Sequence, residues 1–221
     1  MANLLSVNNI AFTIIGYPLS YVEFFGTILY LWSVWLISKR NIATWPIGII
    51  SVLLYMILFY QIRLYSDTLE QIYYLGASLY GWWVWNGSAR DKGQITEVSY
   101  SNVRSLALWL VFTGIVSIAF GFLMSRIHLL LPAIFPEAAS FPYLDALTTI
   151  MSFSAMWLMA QKKVESWVYW IVVDSIGIGL YFVKDVKFIA LLYVILLVLA
   201  FNGLRMWSKT RANKTMLATL P

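Results

Sequence analysis

Residues 167–183 read WVYWIVVDSIGIGLYFV, a run that carries one charged side chain, Asp174. Its length and apolarity suit a membrane-crossing helix, which needs about 20 mainly apolar residues. A carboxylate in mid-span is costly unless it faces protein or water. Six further segments fit the same description: Tyr21 to Ser38, Trp45 to Ile62, Thr68 to Trp85, Leu106 to Leu123, Leu144 to Ala160 and Phe188 to Met206. The chain as a whole agrees, with 221 residues of which 61% are hydrophobic and 11% charged, against about 45–50% and about 25% in a soluble domain. Its mean hydropathy is +0.77. The expected fold class is an all-α integral membrane protein of seven transmembrane helices. Residues 1–20 are expected to form a short interfacial segment, since Pro18 ends any helix there.

At an offset of 122 residues Tyr21 aligns with Tyr143, Glu23 with Asp145, Thr27 with Thr149, Trp35 with Trp157, Trp45 with Trp167, Gly81 with Gly203 and Trp85 with Trp207. No gap is needed from Tyr21 to Trp85. The first three spans therefore repeat as the last three, and the single unmatched span between them makes both repeats point the same way. The expected organisation is a first three-helix repeat at 21–86, a loop and linker helix four at 87–142, a second repeat at 143–207 and a tail at 208–221. Parallel repeats of this 3+1+3 kind are one of two recurring transporter designs, with the substrate held near the midplane where the repeats meet. A duplicated scaffold without transport is the plainer reading of the same pattern.

Cysteine is absent and His128 is the lone histidine, so thiolate chemistry and multi-histidine metal sites are excluded. No metal, cofactor or nucleotide-binding loop is expected, and the rival reading as a membrane enzyme lacks a nucleophile with its base. The net charge of +5 does not mark nucleic acid as a partner, because the basic residues are spread between apolar runs. Most of them, including Lys39, Arg40, Arg90, Lys92, Lys162, Lys163, Arg205 and Lys214, fall on the side reached after the first span. Arg63, Arg126, Lys184 and Lys187 fall on the other. The bias places the N-terminus outside and the C-terminus in the cytoplasm.

The span that opened this section carries the clearest functional pattern. Trp167, Trp170, Asp174, Gly177 and Tyr181 recur at intervals of three and four, so one helical face holds a carboxylate and three aromatic rings. Such a face suits an aromatic, positively charged or electron-poor ligand through stacking and cation–π contact. The bland alternative pairs Asp174 with a neighbouring helix while the rings merely pack. Asn202, and Tyr80 at the equivalent position, suit a carboxamide or sugar hydroxyls, or an interhelical hydrogen bond in the core. Gln71, Ser78, Trp82 and Trp85 form a second stripe. Glu23, Thr27 and Tyr30 match Asp145, Thr149 and Ser152 along one face. The acids of that face sit in first helical turns, where the helix dipole accounts for them, which leaves Thr149 and Ser152 as candidate contacts. All eleven tryptophans map to the cytoplasmic half of the spans. Most are expected to be interfacial anchors, with Trp170 and Trp82 set apart by their polar stripes. His128 is expected to be solvated in the loop after the fourth span.

The stretches YQIRLYSDTLEQIYYLGASLYGWWVW (60–85), FPYLDALTTIMSFSAMWLM (141–159), KKVESWVYW (162–170) and FNGLRMW (201–207) resemble the PnuC family of nicotinamide riboside transporters, from about Tyr21 to Trp207. The resemblance implies a SWEET-like fold, a homotrimer among membrane lipid in the bacterial inner membrane, and facilitated diffusion of nicotinamide riboside that is trapped by cytoplasmic phosphorylation. Related members carry thiamine or riboflavin, and a proton-coupled route through Asp174 is a further alternative. Nicotinamide riboside has a cationic pyridinium for the tryptophan face and Asp174, and an amide and hydroxyls for Asn202, Gln71 and Tyr80.

Overall fold

The computed structural model describes residues 4–14, 16–63, 65–92, 97–132, 138–183 and 187–218, without the side chains at 65–66, 88–92 and 213–218. Lys184 and the side chains of Arg90, Lys92 and Lys214 thus lie outside the described residues. The elements are β1 (Ile10–Ile14), β2 (Tyr17–Ser20), α1 (Tyr21–Ser38), α2 (Thr44–Gln61), α3 (Tyr65–Lys92), α4 (Val103–Leu130), α5 (Pro142–Ala160), α6 (Ser166–Val183) and α7 (Lys187–Ala218). Caps set several starts: Ser20 Oγ accepts from Glu23 N–H, Asn102 Oδ1 accepts from Ser105 N–H, and Pro142 opens α5.

Five of the seven helices, α1, α2, α4, α6 and α7, are long and apolar enough to cross a membrane on those grounds alone. The seven expected spans are all helices, but α3 and α5 are more polar than the rest. They pack against each other and answer each other's polar groups. Thr149 Oγ1 donates to Glu70 Oε1 (3.2 Å), and Tyr73 hydroxyl donates to Phe153 carbonyl (2.7 Å). α3, α4 and α7 also run past the apolar windows expected for them, because polar sequence continues a helix beyond the part that lipid would select.

Neighbouring helices form a closed circuit: α1 on α2, α2 on α3, α3 on α5, α5 on α6, α6 on α7 and α7 on α1, with α4 outside against α5. One end is closed by Trp45, Trp85, Trp167 and Trp207, all fully buried. Their rings meet edge-on or tilted, 5.3 Å apart for Trp45–Trp85, 6.1 Å for Trp85–Trp207 and 5.5 Å for Trp167–Trp207. Trp85 Nε1 donates to Ala160 carbonyl (3.1 Å), while Trp207 Nε1 donates to the carbonyls of Ile37 (3.2 Å) and Ser38 (3.1 Å). Donors and acceptors are both 122 apart in sequence, so the two bonds are one contact made twice in opposite directions. These four tryptophans are core, which corrects the expectation of interfacial anchors. A spacing pattern cannot separate an anchor from a buried ring when the glycine that admits it lies on another helix.

Those glycines are Gly81 and Gly203. A Cβ at Gly81 would lie 2.3 Å from the Trp45 ring, and one at Gly203 would lie 2.5 Å from the Trp167 ring. The connector before α4 reinforces the same end. Val98 is buried in the tryptophan cluster, Ser101 N–H donates to Glu165 Oε1 (2.6 Å), and Ser99 exchanges backbone bonds with Lys162 and Val164.

At the opposite end β1 and β2, within the expected N-terminal interfacial segment, pair as an antiparallel hairpin, with Ile14 opposite Tyr17. Gly16, at φ 79°, takes a left-handed turn position that costs a glycine little. Tyr17 hydroxyl donates to Glu23 Oε1 (2.8 Å) and its ring stacks on Phe188 (5.0 Å), so the hairpin ties α1 to α7. Burial and the Glu23 carboxylate push the Tyr17 phenol well above its usual range. His128, expected in a loop, instead sits in the last turn of α4 with Nδ1 buried and without a partner among the described residues. The helix simply runs one turn and more beyond its lipid-length apolar core.

A methyl added to a packed contact costs about 1–3 kcal/mol. Gly81→Ala and Gly203→Ala are therefore each expected to lower the stability of the detergent-solubilised protein by that amount in a denaturant titration. Gly76→Ala, where a Cβ meets nothing within 4 Å, is expected to leave it unchanged or raise it.

Candidate functional site

Inside the circuit, α6 carries Asp174 with 3% of its surface exposed. Its carboxylate makes neither a hydrogen bond nor an ion pair among the described residues. An ionised carboxylate in such a place is costly until a positive group or several donors reach it. One helical turn earlier, Trp170 is half-buried, with its ring packed at the edge of the two buried clusters.

Two tyrosines from other helices lie within electrostatic reach of Asp174: Tyr30 on α1 and Tyr193 on α7. Neither hydroxyl has a hydrogen-bond partner among the described residues. Tyr55 on α2 meets Tyr30 edge-on at 6.5 Å and is tethered by Thr27 Oγ1 at 2.7 Å from its hydroxyl. On the facing side Tyr74 hydroxyl is hydrogen-bonded to the Ser152 side chain. The centre is thus an anionic space lined by aromatic rings and hydroxyls. The sequence pattern puts Tyr30 on a matched face without marking it as a ligand contact, and the stripe that carries Asp174 includes none of Tyr55, Tyr74 and Tyr193. The available signal was their place in mid-span, where a tyrosine needs a partner for its hydroxyl as an interfacial tyrosine does not.

The remaining candidates divide. Ser152 and Thr149 border the central layer through their bonds to Tyr74 and Glu70. Tyr181 stacks on Tyr193 at 5.4 Å. Trp167 is held in the tryptophan cluster, 1% exposed. Tyr80 is stacked flat on Trp157 of α5, 4.9 Å away with 5° between the planes. Ser78 is buried on α3, and Gln71 is half-buried near the hairpin end of that helix. Trp82 lies on the outer surface in a shallow depression with Leu79, Trp83 and Asn86, and Asn202 is exposed. Asp174 and Trp170 share one face of α6 and Ser152 joins the neighbouring layer through Tyr74; Trp82 and Asn202 lie at the surface, away from Asp174.

Towards the hairpin end Asp67, Glu70 and Asp145 are near enough to one another and to Tyr181 to interact electrostatically. No group of three or more metal-ligating side chains is placed to hold a metal ion among the described residues. The interior therefore offers negative charge, ring faces and hydroxyls, a combination that attracts a flat organic cation.

The chain is 30% identical over 209 residues to the nicotinamide riboside transporter PnuC of Escherichia coli (strain K12), covering 87% of each chain. It is also 30% identical over 202 residues to the riboflavin/roseoflavin transporter RibM of Streptomyces davaonensis, covering 91% of each. The crystal structure of the vitamin B3 transporter PnuC shares its fold, with a TM-score of 0.65 and 23% identity over 86% of this chain and 80% of that one. Residues 20–209 match the family model described as nicotinamide mononucleotide transporter, and the chain belongs to that family of multi-pass membrane transporters.

Proposed function

We propose that this protein takes up nicotinamide riboside by facilitated diffusion. The observation that carries the reading is the buried, uncompensated carboxylate of Asp174 beside Trp170. The pyridinium of nicotinamide riboside supplies the missing positive charge and a flat face for the indole, and Tyr30, Tyr193 and Ser152 meet its ribose and carboxamide with hydroxyls. Riboflavin carries no such charge, which favours nicotinamide riboside over the substrate named for the RibM relative.

The transport cycle is alternating access. Two parallel three-helix repeats, α1–α3 and α5–α7, are joined by α4 and rock against each other about the central space, and substrate drives the change only through its different affinity for the two states. The reciprocal tryptophan bonds 122 residues apart support that 3+1+3 arrangement. The tryptophan end faces the cytoplasm, the N-terminal hairpin faces outward, and the protein works as a homotrimer in the bacterial inner membrane. Other proteins then phosphorylate and trap the vitamin. No step requires a coupling ion, so uptake into proteoliposomes is independent of a proton gradient.

Binding to purified protein tests the reading. Nicotinamide riboside is expected to bind and to outcompete riboflavin and thiamine, and preference for either competitor would overturn the substrate. Asp174→Asn and Trp170→Ala are each expected to weaken nicotinamide riboside about tenfold or more, the loss of one charged or stacking contact worth about 1.4 kcal/mol. Unchanged affinity in both folded variants would remove the site.

A further inference from the structure

Two positions break the likeness between the two halves in opposite senses. Positions 55 and 177 are 122 apart, and so are 71 and 193. In the first half the ring is on the middle helix, Tyr55, and the smaller amide, Gln71, is on the third. In the second half the middle helix has Gly177 and the third helix has the ring, Tyr193. A Cβ at Gly177 would lie 2.5 Å from Tyr193 Cδ1, 2.6 Å from Cε1 and 2.9 Å from Cγ. The phenol therefore lies against bare α6 backbone three residues beyond Asp174. Tyr181 stacks on the same ring at 5.4 Å. Gly179 on the same helix meets nothing within 4 Å of an added Cβ, so the close seat is particular to position 177.

The exchange has a second effect. Tyr55 occupies Thr27 with a hydrogen bond, whereas glycine at 177 offers the equivalent Thr149 nothing, and Thr149 bonds Glu70 across to α3 instead. Tyr193 already lies within electrostatic reach of Asp174 and Tyr30, so a ring displaced from α6 changes the surroundings of both.

We propose that Gly177 is a specificity-determining residue. By seating Tyr193 against α6 it sets the width of the space in front of Asp174, and a side chain at 177 excludes ligand by displacing that ring. The inference rests on the Asp174 space being the ligand site.

The test measures binding of nicotinamide riboside and riboflavin to full-length purified Gly177→Ala, Tyr193→Ala, the double variant and Gly179→Ala. Gly177→Ala is expected to weaken nicotinamide riboside about tenfold or more, as overpacking of a tight contact does. The same substitution in a Tyr193→Ala background is expected to have an effect within about threefold of none, since its target is gone. Gly179→Ala binds as the parent does. An equal loss with and without the Tyr193 ring, or no loss in either, overturns the proposal. If Gly177→Ala does not fold, Tyr193→Ala alone decides: it is expected to gain riboflavin affinity about tenfold by opening the space, and unchanged selectivity overturns the proposal. A parent protein that binds riboflavin but no nicotinamide riboside would overturn the substrate reading, while the coupling of 177 to 193, measured with riboflavin, would still stand or fall separately.

Discussion

The bundle depends on one contact made twice. The indole of Trp85 donates to the carbonyl that ends α5, and the indole of Trp207 donates to the carbonyls that end α1. Carbonyls in the last turn of a helix have no partner within it; that of Ile37 also accepts from Arg40 N–H, and the indoles supply donors to those of Ser38 and Ala160. The donors reach that depth because Trp45 and Trp167 fit against Gly81 and Gly203, which have no side chain to hold them off. The circuit of six helices is closed at this end by side chains of the first three and the last three in equal measure.

Within that near-symmetric frame the interior is filled unequally. Trp170 stands where the first half has Gly48, Asp174 where it has Val52, Gly177 where it has Tyr55, and Tyr193 where it has Gln71. Duplication supplies the shell and departure from it supplies the site. The carboxylate and the indole come from the same helix, two hydroxyls come from α1 and α7, and Tyr74 with Ser152 completes the far side. The proposed site for an aromatic cation is therefore one-sided, with its charge and its indole both on α6.

How much of this was legible in the sequence follows from the range of each interaction. Apolar runs and the offset of 122 need only local counting, and the helices and the equivalence of Trp85 with Trp207 were readable from them. Asp174 stood out because a charge in mid-span is costly whatever its neighbours are. Spacing also puts Trp167 and Trp170 on one face, yet the first is fully buried against Gly203 and the second is half-buried at the edge of the same cluster, a difference that involves the packing of α7. Tyr30 and Tyr193 join Asp174 only through the packing of three helices, so no stripe on one helix contains them. The hairpin was missed because its pairing and its hold on Phe188 are contacts to elements distant in sequence.

The central claim is that the buried charge of Asp174 selects a cation. It is tested most directly by comparing nicotinamide riboside with its reduced dihydro form, which keeps the ribose and the carboxamide and loses the positive charge. The parent protein should bind the oxidised form at least about tenfold more tightly, the equivalent of 1.4 kcal/mol, and Asp174→Asn should abolish most of that preference. Equal affinity of the parent protein for the two forms, or a preference that survives Asp174→Asn intact, would contradict the account.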